Sequence, residues 1–272
     1  MTSSTSRRAL LLAGAAGLAA GCGGGSGSRA AGKGPRVDGR FTSRKMGGAR
    51  VGWTLAYPEG HDAGERLPVV VSLHGRGATH RTTFTVLGLA GVLDRLVAQG
   101  VPAFALASVD GGDHGYWHRR ADGTDAGAMV VDELVPMLAE RGLDTARLGL
   151  YGWSMGGYGA LLLAGGALRA AAVAVASPAL FTSSGSTPAG AFDDAEDYAR
   201  NDVFGHPERL ANVALRIDCG RSDPFYAATR DFAERLHPHP AGGFQPGRHD
   251  AAYWRRQAPA ELSFLGRRLS TT

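Results

Sequence analysis

Lysine is almost missing from this chain: two residues, Lys33 and Lys45, stand among 272, and none follows. Positive charge is therefore carried by arginine, and its placement says more than its total. The whole chain has a formal charge of +4, but Arg7 and Arg8 lie near the start and seven Lys/Arg against one Asp fall between residues 23 and 50. From Val51 onward 20 arginines face 24 acidic residues, a net of −4. A mildly acidic body argues against a nucleic-acid surface, so no nucleic-acid partner is expected. Cysteine is scarce too. Cys22 and Cys219 are the only two, and they are not expected to form a disulfide because Cys22 has another use. No internal repeat is visible.

The apolar run near the N-terminus is too short to span a bilayer as a mature helix. Residues 1–22 read instead as an export signal. Ser6-Arg7-Arg8-Ala9-Leu10-Leu11 resembles a twin-arginine motif, although basic leaders serve the general pathway as well. The run ends at Leu18-Ala19-Ala20-Gly21-Cys22, which resembles a bacterial lipoprotein cleavage box, with Ala19 where leucine is commoner. This predicts an exported protein whose lipid attachment site is Cys22, held to the membrane on its extracytoplasmic face. A plain secreted protein with a fortuitous Cys22 is the alternative. Residues 23–49 are rich in Gly, Ser and basic residues and read as a flexible tether.

What remains, residues 50–272, is 223 residues long, enough for one large α/β domain. The overall composition, 44% apolar and 20% charged, is that of a soluble globular protein. Residues 51–58 alternate like an antiparallel first strand. Residues 67–73 (LPVVVSL) and 103–109 (AFALASV) are continuous apolar runs, as for central strands covered on both faces. Helical patterns occupy 84–99, 129–141, 225–236 and 253–269, and further strands are expected at 170–176 and 214–218. Alternating strands and helices predict a mostly parallel central sheet flanked by helices. Residues 178–212 break the alternation and are expected to form a small irregular cap.

The stretch 146–166, ARLGLYGWSMGGYGALLLAGG, organises the rest. A short strand, the turn Gly152-Trp153-Ser154-Met155-Gly156 and an immediate helix make the pattern of the nucleophile elbow of the α/β-hydrolases. Glycines two residues to either side keep side chains clear of the neighbouring backbone, while the turn strains Ser154 upward. In this fold an acid and then a histidine follow the serine in chain order. Asp223, past the strand that Gly220 ends, fits the acid. Asp-Pro also makes an ordinary helix cap, and Asp218 competes from within the strand. His249, in Gly247-Arg248-His249-Asp250 before the last helix, fits the base. His237 and His239 read as loop residues, and without a third ligand no metal site is expected from them. An oxyanion would need two backbone N–H donors. Met155 at the helix start and Arg76 in His74-Gly75-Arg76-Gly77 are expected to supply them, with Gly75 a close alternative. His74 reads as structural. Trp153 and Trp117 are candidate substrate-binding residues, with Trp254 another aromatic candidate and simple packing the alternative for each.

The segments HGRG, GYWHRR, GWSMGGYGA, CGRSDPF and GRHDAAYW resemble the bacterial putative-esterase family, which includes S-formylglutathione hydrolases and actinobacterial mycolyltransferases. The similarity spans about Val51 to Leu269. It implies an α/β-hydrolase fold, no metal or other cofactor, and a triad of Ser154, Asp223 and His249. Arg76 departs from the aliphatic residue common at that place. Mycolyltransferases generally use Glu as the acid, where this chain has Asp223. The expected function is hydrolysis of a small-molecule carboxylic ester with a short acyl group. Two rivals stand beside it: an acyltransferase serving a sugar or lipid hydroxyl, and a catalytically silent binding lipoprotein. Oligomeric state is not legible.

Overall fold

Continuous apolar stretches become the middle of one sheet, because strands covered on both faces have no polar side to show. In the computed structural model, which describes residues 32–270, the sheet has eight strands. In chain order they are β1 (Arg36–Ser43), β2 (Ala49–Ala56), β3 (Pro68–Leu73), β4 (Ala105–Val109), β5 (Asp144–Trp153), β6 (Ala172–Ala176), β7 (Ala214–Gly220) and β8 (Ala241–Gln245). Their order across the sheet is β1-β2-β4-β3-β5-β6-β7-β8. The β1–β2 and β2–β4 pairs are antiparallel and all the others parallel.

Alternation along the strands sorts side chains to two cores. Val69, Val71, Leu148, Leu150, Val173 and Val175 face one side. They meet the helices α3 (Ala126–Met129), α4 (Val135–Glu140), α5 (Met155–Ala164) and α7 (Tyr226–Arg235). Val70, Leu106, Tyr151 and Ala174 face the other side, against α2 (Leu89–Ala98) and α8 (Ala251–Leu269). The result is the α/β-hydrolase layering expected: a mostly parallel sheet with helices on both faces. No helix among the described residues is long and apolar enough to cross a membrane.

Three expectations shift. The helix expected over 84–99 is two, α1 (Thr82–Thr85) and α2, because Gly88 takes the left-handed φ of 67° between them. The helix expected over 129–141 starts earlier, where the Asp125 carboxylate accepts the Ala128 N–H at 2.8 Å. It passes through a π turn at Val130–Leu134 beside Pro136, which has no N–H to give.

The largest correction is to the tether. Residues 36–43 are not loose chain but β1, paired with β2 over eight residues from Arg36 opposite Ala56 to Ser43 opposite Ala49. The strand read as first is therefore second. A polar sequence can hold this position because an edge strand needs few buried side chains. Gly39 lets the Trp53 ring lie flat on the strand, where a Cβ would come within 2.4 Å of it. The expected signal over residues 1–22, Cys22 and tether residues 23–31 lie outside the described residues.

Residues 178–212 run from β6 to β7 with two single 3₁₀ turns and one short helix, α6 (Ala195–Arg200). Their bulky side chains turn mostly inward: Phe192, Tyr198, Val203 and Leu210 are buried in the core. The segment is as much a wall of the core as a cap.

Candidate active site

Ser154 sits where β5 ends and α5 begins, with φ 55° and ψ −123°. That backbone conformation is strained for an L residue, and the surrounding contacts hold it. The Ser154 N–H donates to the Ala176 carbonyl at 3.1 Å. A Cβ on Gly152 would lie 2.1 Å from the Gly156 carbonyl oxygen, and one on Gly156 would lie 1.9 Å from that of Leu73. Both glycines are therefore required by close backbone approach, as the sequence pattern demands.

Two loops bring the other groups in. After β7, Asp223 lies on a tight turn, its Oδ1 accepting the Phe225 N–H at 2.9 Å. Asp223 is not the helix cap that Asp-Pro suggested: this bond closes the turn ahead of α7, whose N-cap is Phe225 with no side-chain hydrogen bond. The loop between β8 and α8 is laced to this turn, since the Ser222 N–H donates to the Gly247 carbonyl at 2.9 Å and the Arg221 N–H to that of Gln245 at 2.9 Å. Asp250 caps α8 by accepting the Tyr253 N–H at 2.8 Å. His249 is held between these fixed points. Its Nδ1–H donates to Asp223 Oδ2 at 2.8 Å, and its Nε2 accepts from the Ser154 hydroxyl at 2.9 Å. The Asp223 side chain is fully buried behind it. The rings of Phe225 and Trp254 pack in T-shaped fashion with the imidazole, with ring centroids 5.2 Å away in both cases.

Asp218 goes elsewhere. Arg216 grips it with Nε at 2.7 Å from Oδ2, and it makes no hydrogen bond to His249. Burial pushes its carboxyl pKa up. His237 and His239 lie exposed in the loop before β8. No cluster of ligating side chains suited to a metal occurs among the described residues.

The loop after β3 carries the other expected donor. His74 is buried, and burial pushes its pKa down, keeping the ring neutral. Its Nδ1–H donates to the Gly75 carbonyl at 2.8 Å, while its Nε2 accepts the Gly111 N–H at 3.0 Å. The Ala78 N–H donates to the same Gly75 carbonyl at 3.1 Å. A trans peptide sets its N–H opposite its C=O, so anchoring the Gly75 carbonyl twice fixes the direction of the Arg76 N–H. Neither that N–H nor the Met155 N–H has an acceptor among the described residues.

Ser154 and His249 open into a cavity of about 610 Å³ that also touches Gly75, Arg76 and Trp153. Aromatic walls come from Tyr116, Phe181, Phe225 and Trp254, and neutral polar ones from Ser186 and Thr187. Trp153 is where the sequence put it. Trp117 is not: it is wholly buried against His74, at 5.1 Å between ring centroids, and lines a separate cavity of about 370 Å³ that shares no residue with this one. The reason is local. Tyr116 and Trp117 both have positive φ, 47° and 63°, which turns Tyr116 to the serine cavity. Trp117 is left under α5, against Gly159, where a Cβ would touch it at 2.4 Å. Tyr116, Phe181 and Phe225 were missed as wall residues. Only Phe225, two residues past Asp223, had a signal in its spacing.

Comparison with known proteins follows the same lines. The family model described as Putative esterase matches residues 43–265. No curated protein matches the chain. Among solved structures, a ferulic acid esterase superposes with a TM-score of 0.74 at 21% identity, covering 86% of this chain and 98% of that one. An S-formylglutathione hydrolase from Agrobacterium tumefaciens gives 0.71 at 17%, covering 87% and 96%. MPT51 of Mycobacterium tuberculosis gives 0.65 at 17%, covering 85% and 98%. At these identities the superpositions speak for the fold, whereas the family match spans most of the chain. The chain belongs to the Putative esterase family, and its class of activity is that of a carboxylic ester hydrolase.

Proposed function

We propose that Ser154 is the nucleophile of a two-step ester hydrolysis, with His249 as its base and Asp223 as the acid that orients the base. The observation that carries this reading is the unbroken chain of hydrogen bonds from Asp223 Oδ2 through His249 to Ser154 Oγ, at 2.8 and 2.9 Å. Ser154 Oγ attacks the acyl carbonyl while His249 Nε2 takes its proton. Asp223 holds the ring in the tautomer with hydrogen on Nδ1 and stabilises the imidazolium that forms. The Met155 and Arg76 N–H groups donate to the oxyanion. His249 then gives its proton to the leaving alkoxide, and afterwards activates water to release the acid. Ser154→Ala should abolish labelling by a fluorophosphonate probe with the fold intact. Labelling that survives in this variant would overturn the assignment.

The preferred acyl group is short, acetyl to butyryl. Long alkyl chains gain about 0.8 kcal/mol per buried methylene only along a continuous apolar groove. Support comes from the wall of the cavity: Phe192, Tyr198 and Leu210, which such a groove would need, are spent on the core, and Ser186 and Thr187 stand at the cavity instead. The test is kcat/KM on aryl esters of rising acyl length, below their micelle-forming concentrations. A steady rise from butyrate to palmitate would favour the rival acyltransferase.

The cellular placement proposed is extracytoplasmic, with Cys22 as lipid-bearing first residue of the mature protein. It rests on the sequence Leu18-Ala19-Ala20-Gly21-Cys22.

A further inference from the structure

Among the residues lining the serine cavity, the one that carries a permanent charge is a cation, Arg76. Arg76 is exposed at the cavity, and no carboxylate lies within ion-pair distance of it among the described residues. Many arginines of the described surface lack a carboxylate partner; what sets Arg76 apart is its place on the lining of the serine cavity. No acidic residue lines the cavity, and the one carboxylate close behind it, Asp223, is buried and taken by His249 and the Phe225 N–H. Asp113 neighbours the loop, its carbonyl accepting the Gly77 N–H at 3.0 Å, but its carboxylate makes no ion pair with Arg76.

The walls sharpen the point. Tyr116 lies close enough for the charge of Arg76 to bear on its phenol, and burial still pushes that phenol up to about 12, so it stays neutral. Aromatic rings line one side of the cavity, and a guanidinium beside such an apolar wall binds a carboxylate more strongly than one in open solvent.

We infer that this enzyme is selective for esters that themselves carry an anionic group, a carboxylate above all, which pairs with the Arg76 guanidinium while Ser154 attacks the ester carbonyl. The inference rests on the esterase reading of the site and adds the charge of the substrate to it. The backbone N–H of Arg76 serves the oxyanion whatever its side chain is, so the side chain is free to read charge.

Two matched pairs test it with the full chain. 4-Acetoxybenzoate against its methyl ester places the anion on the leaving alcohol; the 4-nitrophenyl monoester of succinic acid against 4-nitrophenyl butyrate places it on the acyl group. Each kcat/KM is divided by the ester's own hydroxide-catalysed rate. The expected result is that the anionic-to-neutral ratio of at least one pair falls about fivefold in Arg76→Gln, falls further in Arg76→Glu, is partly kept in Arg76→Lys, and declines with added salt. Any loss from a shifted backbone acts on both members of a pair and divides out. Which pair responds tells on which side of the ester the anion sits. Ratios that ignore both the substitutions and the salt, with neutral esters still cleaved, would overturn the inference and leave the esterase reading standing. No cleavage of any ester would overturn both.

Discussion

His74 makes no hydrogen bond to Ser154, His249 or Asp223, yet it bears on the catalysis proposed for them. It holds the Gly75 carbonyl, and through that peptide the direction of the Arg76 N–H. His74→Ala should lower kcat by roughly ten- to a hundredfold, since a misdirected oxyanion donor costs about that order, while KM changes little. The same residue predicts a pH effect. Burial lowers its folded pKa below the unfolded value near 6.5, so the stability it contributes is complete above that value and is lost as pH falls toward the folded one. Acid denaturation should therefore be shallower in the variant. At the acid position, Asp223→Asn should cost on the order of ten-thousandfold in kcat, because the neutral amide no longer fixes the tautomer. Asp218→Asn should leave kcat of the folded enzyme within a fewfold and lower Tm through its lost pairing with Arg216. The reverse pattern would make Asp218 the acid.

Elements explain what could and could not be read in advance. The runs of β3 and β4 were legible because full burial leaves nothing but apolar residues, and the elbow was legible because backbone crowding admits only glycine at 152 and 156. Gly156→Ala should cost about 3 kcal/mol or more, read as a large drop in Tm, given a Cβ 1.9 Å from the Leu73 carbonyl oxygen. Edge strands were not legible. RVDGRFTS and AGGFQ bury little, so no alternation marks them, and pairing partners far along the chain decide their state. Trp117 was misread for a related reason: its seat is made by Gly111, Gly127 and Gly159, three small residues whose convergence no local pattern displays. Helix α8 holds a carboxyl that its sequence does not advertise either. Glu261 is wholly buried beside the Tyr151 hydroxyl, and neither makes a hydrogen bond of ordinary geometry. Burial raises its pKa well above 4.5. Its contribution to stability is full below that unfolded value and is lost as pH rises toward the folded one. Glu261→Gln should therefore raise Tm increasingly as pH climbs above 4.5 toward the folded value and change it little at the acid end. A Tm difference independent of pH would show that Glu261 is ionised in the fold.

For the whole molecule, the N-terminal boundary and the chemistry are the two claims at stake. A chain starting at residue 50 would lack β1 and expose the β2 edge, so it should be less soluble and melt lower than one starting at residue 33; equal behaviour would mean β1 adds nothing to the sheet. Cys22→Ala should leave the leader uncleaved or release the protein, and a correctly processed variant that still partitions into detergent would remove the lipid anchor from the account. The chemistry itself is tested most directly by trapping the intermediate. Full-chain enzyme mixed with 4-nitrophenyl butyrate, quenched in acid within the first turnover and mapped by mass spectrometry, should carry one butyryl group on the peptide containing Ser154. His249→Ala should accumulate none on that timescale. A butyryl group on any other residue, or undiminished turnover by Ser154→Ala, would contradict the account.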